Sequence, residues 1–196
     1  MKCFNVVRAG LFTLDDNVIS DCLWTIEKIT SDNFNQMEEK TIEKVAQCDV
    51  LHQICEHLLS DDTALFVPAL KALGNITAAN DKSVVDRCLF SGALTKLGMV
   101  LKKMKGNEGP ISGLMKEVCW CLSNITAGSV NQVDSFVNSS VFEEVLEVSL
   151  NSKRPDERRE ALWVLCNAIT GGSTESQIKM LELSQGTLLS ILVLGC

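Results

Sequence analysis

Apolar and polar residues follow a helical period along nearly the whole chain. Between Asn17 and Thr30 the apolar positions are Val18, Ile19, Cys22, Leu23, Ile26 and Ile29, a spacing of three and four that lays one stripe along a helix. Leu14–Asp16 reads as a turn with acidic N-cap candidates before it, and Ser31–Asn33 breaks it. The same reading predicts a short charged helix within Phe34–Gln47, a helix over Val50–Leu59, a capping turn at Ser60–Thr63 and a long helix around Lys71 and Asn75. Helices at Lys82–Leu89 and Gly92–Met104 follow, then a loop at 105–113 and a helix around Trp120 that ends near Gly128. Val130–Val137, Val141–Leu150, a turn at Asn151–Pro155 and a helix around Trp163 come next. Gly171–Gly172 stops that last helix, and Ser176–Leu183 and Thr187–Leu192 begin another set. FNVVRAGLF, within residues 1–13, reads as the end of one more helix. The expected fold class is all-α.

These segments repeat. KEVCWCLSNITAG at Lys116–Gly128 is echoed by REALWVLCNAITGG at Arg159–Gly172, by LKALGNITAA at Leu70–Ala79 and by CLWTIEKIT at Cys22–Thr30. Aligned, they place Trp24, Lys71, Trp120 and Trp163 in one register, at intervals of 47, 49 and 43 residues. Leu51, Leu94, Phe142 and Leu188 keep a second register, at intervals of 43, 48 and 46 residues. Self-similarity at this period marks a solenoid of two- or three-helix units. The units run roughly over 1–31, 32–79, 80–128 and 129–172, with a partial one at 173–196, in a single domain of about four repeats whose terminal members are incomplete. Terminal repeats without polar caps leave apolar surface uncovered, expected near residues 1–12 and 186–196.

Four positions after each register residue stand Lys28, Asn75, Asn124 and Asn167. Residues i and i+4 share a helix face, so each repeat pairs an aromatic ring or a lysine with, in three cases, a carboxamide. Stacking the repeats turns these pairs into a ladder. Asparagines can hold the backbone of an extended peptide, which offers one donor and one acceptor per residue. Tryptophans make slots for aliphatic stems with cationic heads. The simpler account of tryptophans at repeat period is core packing. Against it stands the recurrent mid-helix asparagine, a poor helix former that packing alone would not select.

The phrases KEVCWCLSNITAGS, REALWVLCNAITGGSTESQI and PALKALGNITA resemble the armadillo repeats of importin-α (karyopherin-α), the adaptor that binds nuclear localisation signals. The resemblance covers nearly the whole chain as repeats and is strongest from Pro68 to Leu183. It implies a right-handed superhelical armadillo solenoid and the C-terminal half of the array, including the minor signal-binding site. In that family one repeat carries a basic residue in place of tryptophan and two intact W-x3-N repeats follow, the order of Lys71, Trp120 and Trp163. By the same resemblance the peptide-binding residues are Trp120, Asn124, Trp163 and Asn167, with Lys71 and Asn75 from the basic variant repeat and Trp24 from the first. Glu117 and Glu160 match acidic positions that would pair with lysine or arginine of a bound signal; on residue type alone they read as a solvated helix face. Lys28 stands where the family places no lysine, and a cation there would repel a basic ligand. Nothing matches the basic importin-β-binding segment, the repeats of the major site or an acidic tail. An importin-β-type carrier is therefore expected as a partner only of a longer form.

Composition narrows the remaining choices. The 196 residues are 46% hydrophobic, contain three prolines and carry a net charge of −7, with a pI near 4.9. The acidic balance argues against nucleic acid as partner and suits a basic one. Nine cysteines, an odd number without any C-x2-C pair, mostly sit in apolar helical positions and point to a reducing compartment, cytoplasm or nucleus. Cys48, His52 and Cys55 could share a helix face, but three candidate ligands fall short of a four-ligand structural zinc site. Asn75, Asn124 and Asn138 head formal glycosylation sequons, two of them mid-helix. The apolar run Leu183–Cys196 is too short to span a bilayer. His52 and His57 do not share a helix face, and no nucleophile, metalloprotease, P-loop or dinucleotide pattern occurs, so neither an enzyme nor a cofactor is expected. Two functions stay open: a nuclear-import adaptor that binds lysine- and arginine-rich localisation signals in extended form along a concave Trp/Asn groove, and an armadillo scaffold for protein assembly that has lost cargo binding.

Overall fold

The computed structural model describes residues 2–31, 38–46, 49–105 and 112–188, and every described element is helical. These residues fall into two compact units, Met1–Lys96 and Leu97–Cys196.

In the first unit the helices are α1 (Lys2–Gly10), α2 (Asp16–Thr30), α3 (Glu38–Ala46), α4 (Val50–His57), α5 (Thr63–Thr77) and α6 (Lys82–Phe90), with α7 (Ala93–Met104) starting at its end. α2 and α5 run against each other along most of their length, and α4 packs on α5. Of the six apolar positions its periodicity predicts for α2, Ile19, Leu23 and Ile26 are buried, Cys22 and Ile29 are half-buried and Val18 is exposed; Leu70, Leu73 and Ile76 are buried on α5. Leu51, the second-register residue, is buried in α4. Side-chain oxygens cap the starts: Asp15 accepts from Asn17 N (3.0 Å), Asp62 from Ala64 N (2.8 Å) and Asp81 from Ser83 N (2.9 Å). Pro68 lies inside α5 and has no N–H for the Ala64 carbonyl one turn back. The Ser20 hydroxyl of α2 donates to that carbonyl instead, at 2.8 Å. A serine on the neighbouring helix thus makes a mid-helix proline tolerable.

The second unit contains the rest of α7, a single 3₁₀ turn (Ser112–Leu114), α8 (Met115–Thr126), α9 (Val130–Val137), α10 (Val141–Asn151), α11 (Pro155–Gly171) and α12 (Thr174–Leu183). α8 lies along α11, as α2 lies along α5, and α10 packs on α11. Its core is Val118, Leu122 and Ile125 from α8, Phe136 and Phe142 meeting edge to face at 6.1 Å, and Val164, Leu165 and Ala168 from α11. Phe142 and Leu188 of the second register are buried, and so is Leu94 in α7. A capping box opens α9: Ser129 accepts from Gln132 N, and the Gln132 side chain accepts from Ser129 N at 2.9 Å.

Three sequence expectations shift. α11 starts at Pro155 rather than after it, because proline is pre-organised for the first helical position. Gly172 ends α11 with φ −78° and ψ 162°, extended backbone and not a left-handed cap. Glycine is needed there for space: a Cβ would lie 2.9 Å from the Ala168 carbonyl oxygen and 3.1 Å from Val133 Cγ1. α12 starts at Thr174, capped by the Ser173 hydroxyl, ahead of the expected Ser176. Within residues 1–12, Val6 and Phe12 are exposed apolar residues, as expected for that stretch, whereas Leu11 is buried. The expected helix from Thr187 onward, and the apolar surface expected toward 196, lie outside the described residues beyond 188.

Candidate functional site

The ladder residues occupy the paired helices of each unit. In the second unit, α8 carries Glu117, Trp120 and Asn124, and α11 carries Glu160, Trp163 and Asn167. Their flanking residues Val118, Cys119, Cys121 and Leu122, and Ala161, Val164 and Leu165, are fully buried. The ladder residues therefore lie on the face turned away from the core. Trp163 is 57% exposed and Trp120 partly so. Neither is fully buried, so core packing does not account for Trp163 and accounts for only part of the Trp120 side chain. Glu117 and Glu160 are both partly exposed, the first 3.9 Å from Lys116 Nζ in a loose ion pair. Burial pushes the Cys119 thiol up to about 12, and the Glu157 and Glu160 carboxylates add to the shift.

The asparagines have a role that the sequence reading missed. Asn167 Nδ2 donates to the Ser123 carbonyl oxygen on α8 at 3.1 Å. Asn75 Nδ2 donates to the Glu27 carbonyl oxygen on α2, also at 3.1 Å, and to Thr30 Oγ1 at 3.4 Å. Glu27 and Ser123 each stand three residues after the tryptophan of the preceding repeat, so the bond recurs in register. The accepting carbonyls are also shared with a threonine that bonds back along its own helix: Thr30 to Ile26 and Glu27, Thr126 to Leu122 and Ser123. The asparagine of one repeat therefore ties its helix to the end of the previous one. The bond occupies one amide hydrogen of Asn167; its Oδ1 and second N–H are not engaged by it. The signal was present in the sequence as a threonine six residues after each of these tryptophans, Thr30 after Trp24 and Thr126 after Trp120.

In the first unit, the register residues meet directly. The Lys71 ammonium on α5 sits over the Trp24 ring on α2, 5.7 Å from its centroid. Trp24 is 36% exposed. Lys28, one turn further along α2, is exposed and pairs with the nearly buried Glu27 at 3.2 Å.

Several other candidates do not assemble into a site. Cys48 of the Cys48–His52–Cys55 trio lies outside the described residues, and no group of three potential metal ligands occurs among the described ones. Burial pushes the Cys55 thiol up to about 12, a neutral core residue at physiological pH. Asp49 starts α4 without capping it, because its carboxylate is taken by Arg8 Nε at 2.7 Å; that bond holds Asp49 below the usual carboxylate range. Asn75 and Asn124 are half-buried in mid-helix. No helix among the described residues is long and apolar enough to cross a membrane.

The arrangement of stacked helix triplets matches solved structures closely. A designed armadillo repeat protein superposes with a TM-score of 0.79 at 20% identity, over 96% of this chain and 72% of that one. A designed armadillo repeat protein in complex with a (KR)4 peptide superposes with a TM-score of 0.76 at 20% identity, over 91% of this chain and 68% of that one. The fold is the armadillo solenoid. No protein-family model matches the chain. Curated relatives do. Importin subunit alpha-1a of Oryza sativa subsp. japonica is 30% identical over 130 residues, 65% of this chain and 22% of that protein. Importin subunit alpha-4 of Arabidopsis thaliana is 30% identical over 148 residues, 76% of this chain and 26% of that protein. This chain is an armadillo-repeat relative of the importin α subunits. It spans about a quarter of the length of the curated relatives it matches.

Proposed function

We propose that this chain is a nuclear-import adaptor that binds lysine- and arginine-rich nuclear localisation signals in extended form. The observation that carries the reading is the outward face of α8 and α11. Two partly exposed tryptophans, two asparagines and two carboxylates stand there in one register, on helices whose opposite faces form the core. Trp120 and Trp163 offer apolar walls and π faces to lysine or arginine stems. Asn124 and Asn167 offer carboxamide positions to the peptide main chain, and Glu117 and Glu160 pair with its cationic heads. Trp24, Lys71 and Asn75 are the corresponding groove residues of the first unit. In this reading the chain corresponds to the C-terminal half of the importin-α array and its minor signal-binding site. It works by binding, without catalysis or cofactor, in cytoplasm and nucleus.

The test is a titration of the folded protein with a fluorescent lysine-rich peptide, followed by anisotropy. Saturable binding that Trp163→Ala weakens supports the reading; its absence, with the protein folded, ends it. The second reading, a scaffold that has kept the fold and lost cargo binding, is favoured by the asparagine amides, which are explained in two repeats by bonds to the preceding helix. A flat titration would select it.

A further inference from the structure

α6 carries none of the ladder residues. Its buried face is Val84, Val85 and Cys88. Ser83, Arg87 and Phe90 are spaced by four and then three residues, so they share a stripe on the flank of that face. Ser83 is exposed, Arg87 is half-buried and Phe90 is 95% exposed. Arg87 lacks an acceptor from its own chain. Its Nη1 is buried without a hydrogen-bond partner, and its guanidinium forms no ion pair among the described residues. Asp81 lies within its electrostatic reach, but Ser83 holds that carboxylate: Oδ1 accepts from Ser83 N at 2.9 Å and Oδ2 from Ser83 Oγ at 2.8 Å.

Local effects explain part of this. A cation in the last turn suits the negative end of the helix dipole. Single exposed apolar residues are common on protein surfaces. Neither effect accounts for a buried N–H without an acceptor, nor for an aromatic ring one turn from it. The repeat does not require these residues either. In α9, 48 residues on, Ser135 and Asn138 hold the places of Arg87 and Phe90. The Ser135 hydroxyl donates to the Asn131 carbonyl oxygen at 2.7 Å, and Asn138 Oδ1 accepts from Lys179 Nζ at 2.7 Å. One repeat is polar and satisfied at these two places; the other is cationic, aromatic and unsatisfied.

We propose that Arg87 and Phe90 form a docking site for a partner protein, which sets a carboxylate on the Arg87 guanidinium and an apolar side chain against the Phe90 ring. Arginine and aromatic residues are the types that carry binding energy at interfaces. The guanidinium fork matches a single carboxylate. One cation near Asp81 and Asp86, on a chain of net charge −7, suits a single carboxylate and not a polyanion such as nucleic acid. On a partner helix the two groups stand three or four residues apart, the spacing that matches one turn of α6. The site is independent of the peptide groove, so its test leaves the proposed function untouched.

The probes are helical peptides of about fifteen residues in an alanine background, long enough to hold a helix. Each carries one leucine, with glutamate or glutamine three or four residues before or after it. They are titrated into the isotope-labelled full chain, and NMR follows the Arg87 Nε–H resonance and the amides of α6. The expected result is a glutamate peptide that shifts these resonances saturably and binds about 3- to 30-fold more tightly than its glutamine counterpart. Phe90→Ser, at a position the fold leaves in water, should weaken that peptide by about 5-fold or more. Arg87→Gln should abolish the preference for glutamate over glutamine. The inference is overturned if every glutamate peptide binds like its glutamine counterpart, if no peptide shifts α6, or if Phe90→Ser leaves the affinity unchanged. Should Arg87→Gln unfold the chain, the glutamate–glutamine comparison on the wild type and the Phe90→Ser result decide between them.

Discussion

A tryptophan that is more than half exposed contributes little to the fold, because its large apolar area stays in water. Trp163→Ala is therefore expected to leave the melting temperature within a few degrees of wild type, whereas Leu165→Ala, at a fully buried neighbour, should cost about 2–5 kcal/mol. The same Trp163→Ala should weaken a lysine-rich peptide by about 0.5–2 kcal/mol, the scale of a cation–π contact. Equal losses of stability at the two positions would show that Trp163 is a packing residue. The asparagines behave differently. Asn75→Ala and Asn167→Ala each remove a bond between neighbouring helices, so each should lower unfolding free energy by about 0.5–1.5 kcal/mol in denaturant titrations without any ligand. Unchanged stability would mean that the two bonds at 3.1 Å carry no weight in solution. Their effect on peptide affinity must be read well below the unfolding transition, or loss of fold will be taken for loss of binding.

Helix packing makes its own demands. Gly98 lies in α7 where a Cβ would stand 2.7 Å from Val141 Cγ2 of α10. Alanine gains about 1 kcal/mol of helix propensity there but overpacks a tight contact at about 1–3 kcal/mol. Gly98→Ala is expected to destabilise on balance, and Val141→Ala in the same chain should relieve most of that coupling. A double-mutant cycle with no coupling term would disprove the contact. A second element responds to pH. His57, at the end of α4, is held below the usual histidine range by burial, against the opposing pull of Asp16 and Glu56, and its Nε2 is buried without a hydrogen-bond partner. The folded state therefore binds a proton less readily than the unfolded chain does. The contribution is fully present above about pH 6.5 and is lost progressively as pH falls through the window below it. Denaturant melts between pH 7 and pH 5 should show stability falling toward pH 5, and His57→Asn should flatten that slope. A slope that survives the substitution assigns the effect to another group.

At the scale of the molecule the chain carries a net charge of −7, so its long-range field favours a basic ligand before any contact forms. Affinity for a lysine-rich peptide should fall steadily as sodium chloride is raised from about 0.05 M to 0.5 M, because the Debye length contracts to a few ångströms. Glu117→Gln with Glu160→Gln should make that dependence shallower. An affinity indifferent to salt would remove the carboxylates from the reading and leave stacking and backbone contacts alone.

Periodicity settled most of the fold because it depends on local spacing. The stripe of Ile19, Leu23 and Ile26 has to face a core whatever lies opposite it, and α2 ends where Ser31 breaks the pattern. The repeat spacing fixed which helices are equivalent, and the tryptophan register fixed which side chains share a face. The residues of the candidate site were legible for that reason. Their partners were not, since partners belong to helices more than forty residues away. Nothing local in Asn167 says that its amide meets the Ser123 carbonyl, nor in Ser20 that its hydroxyl serves the carbonyl left open by Pro68. Only the packing of α2 on α5 brings the Lys71 charge over the Trp24 ring and changes an apparent slot into an occupied one. Local sequence decides which face a side chain takes; the distance and direction of the neighbouring helix decide what that side chain can still bind.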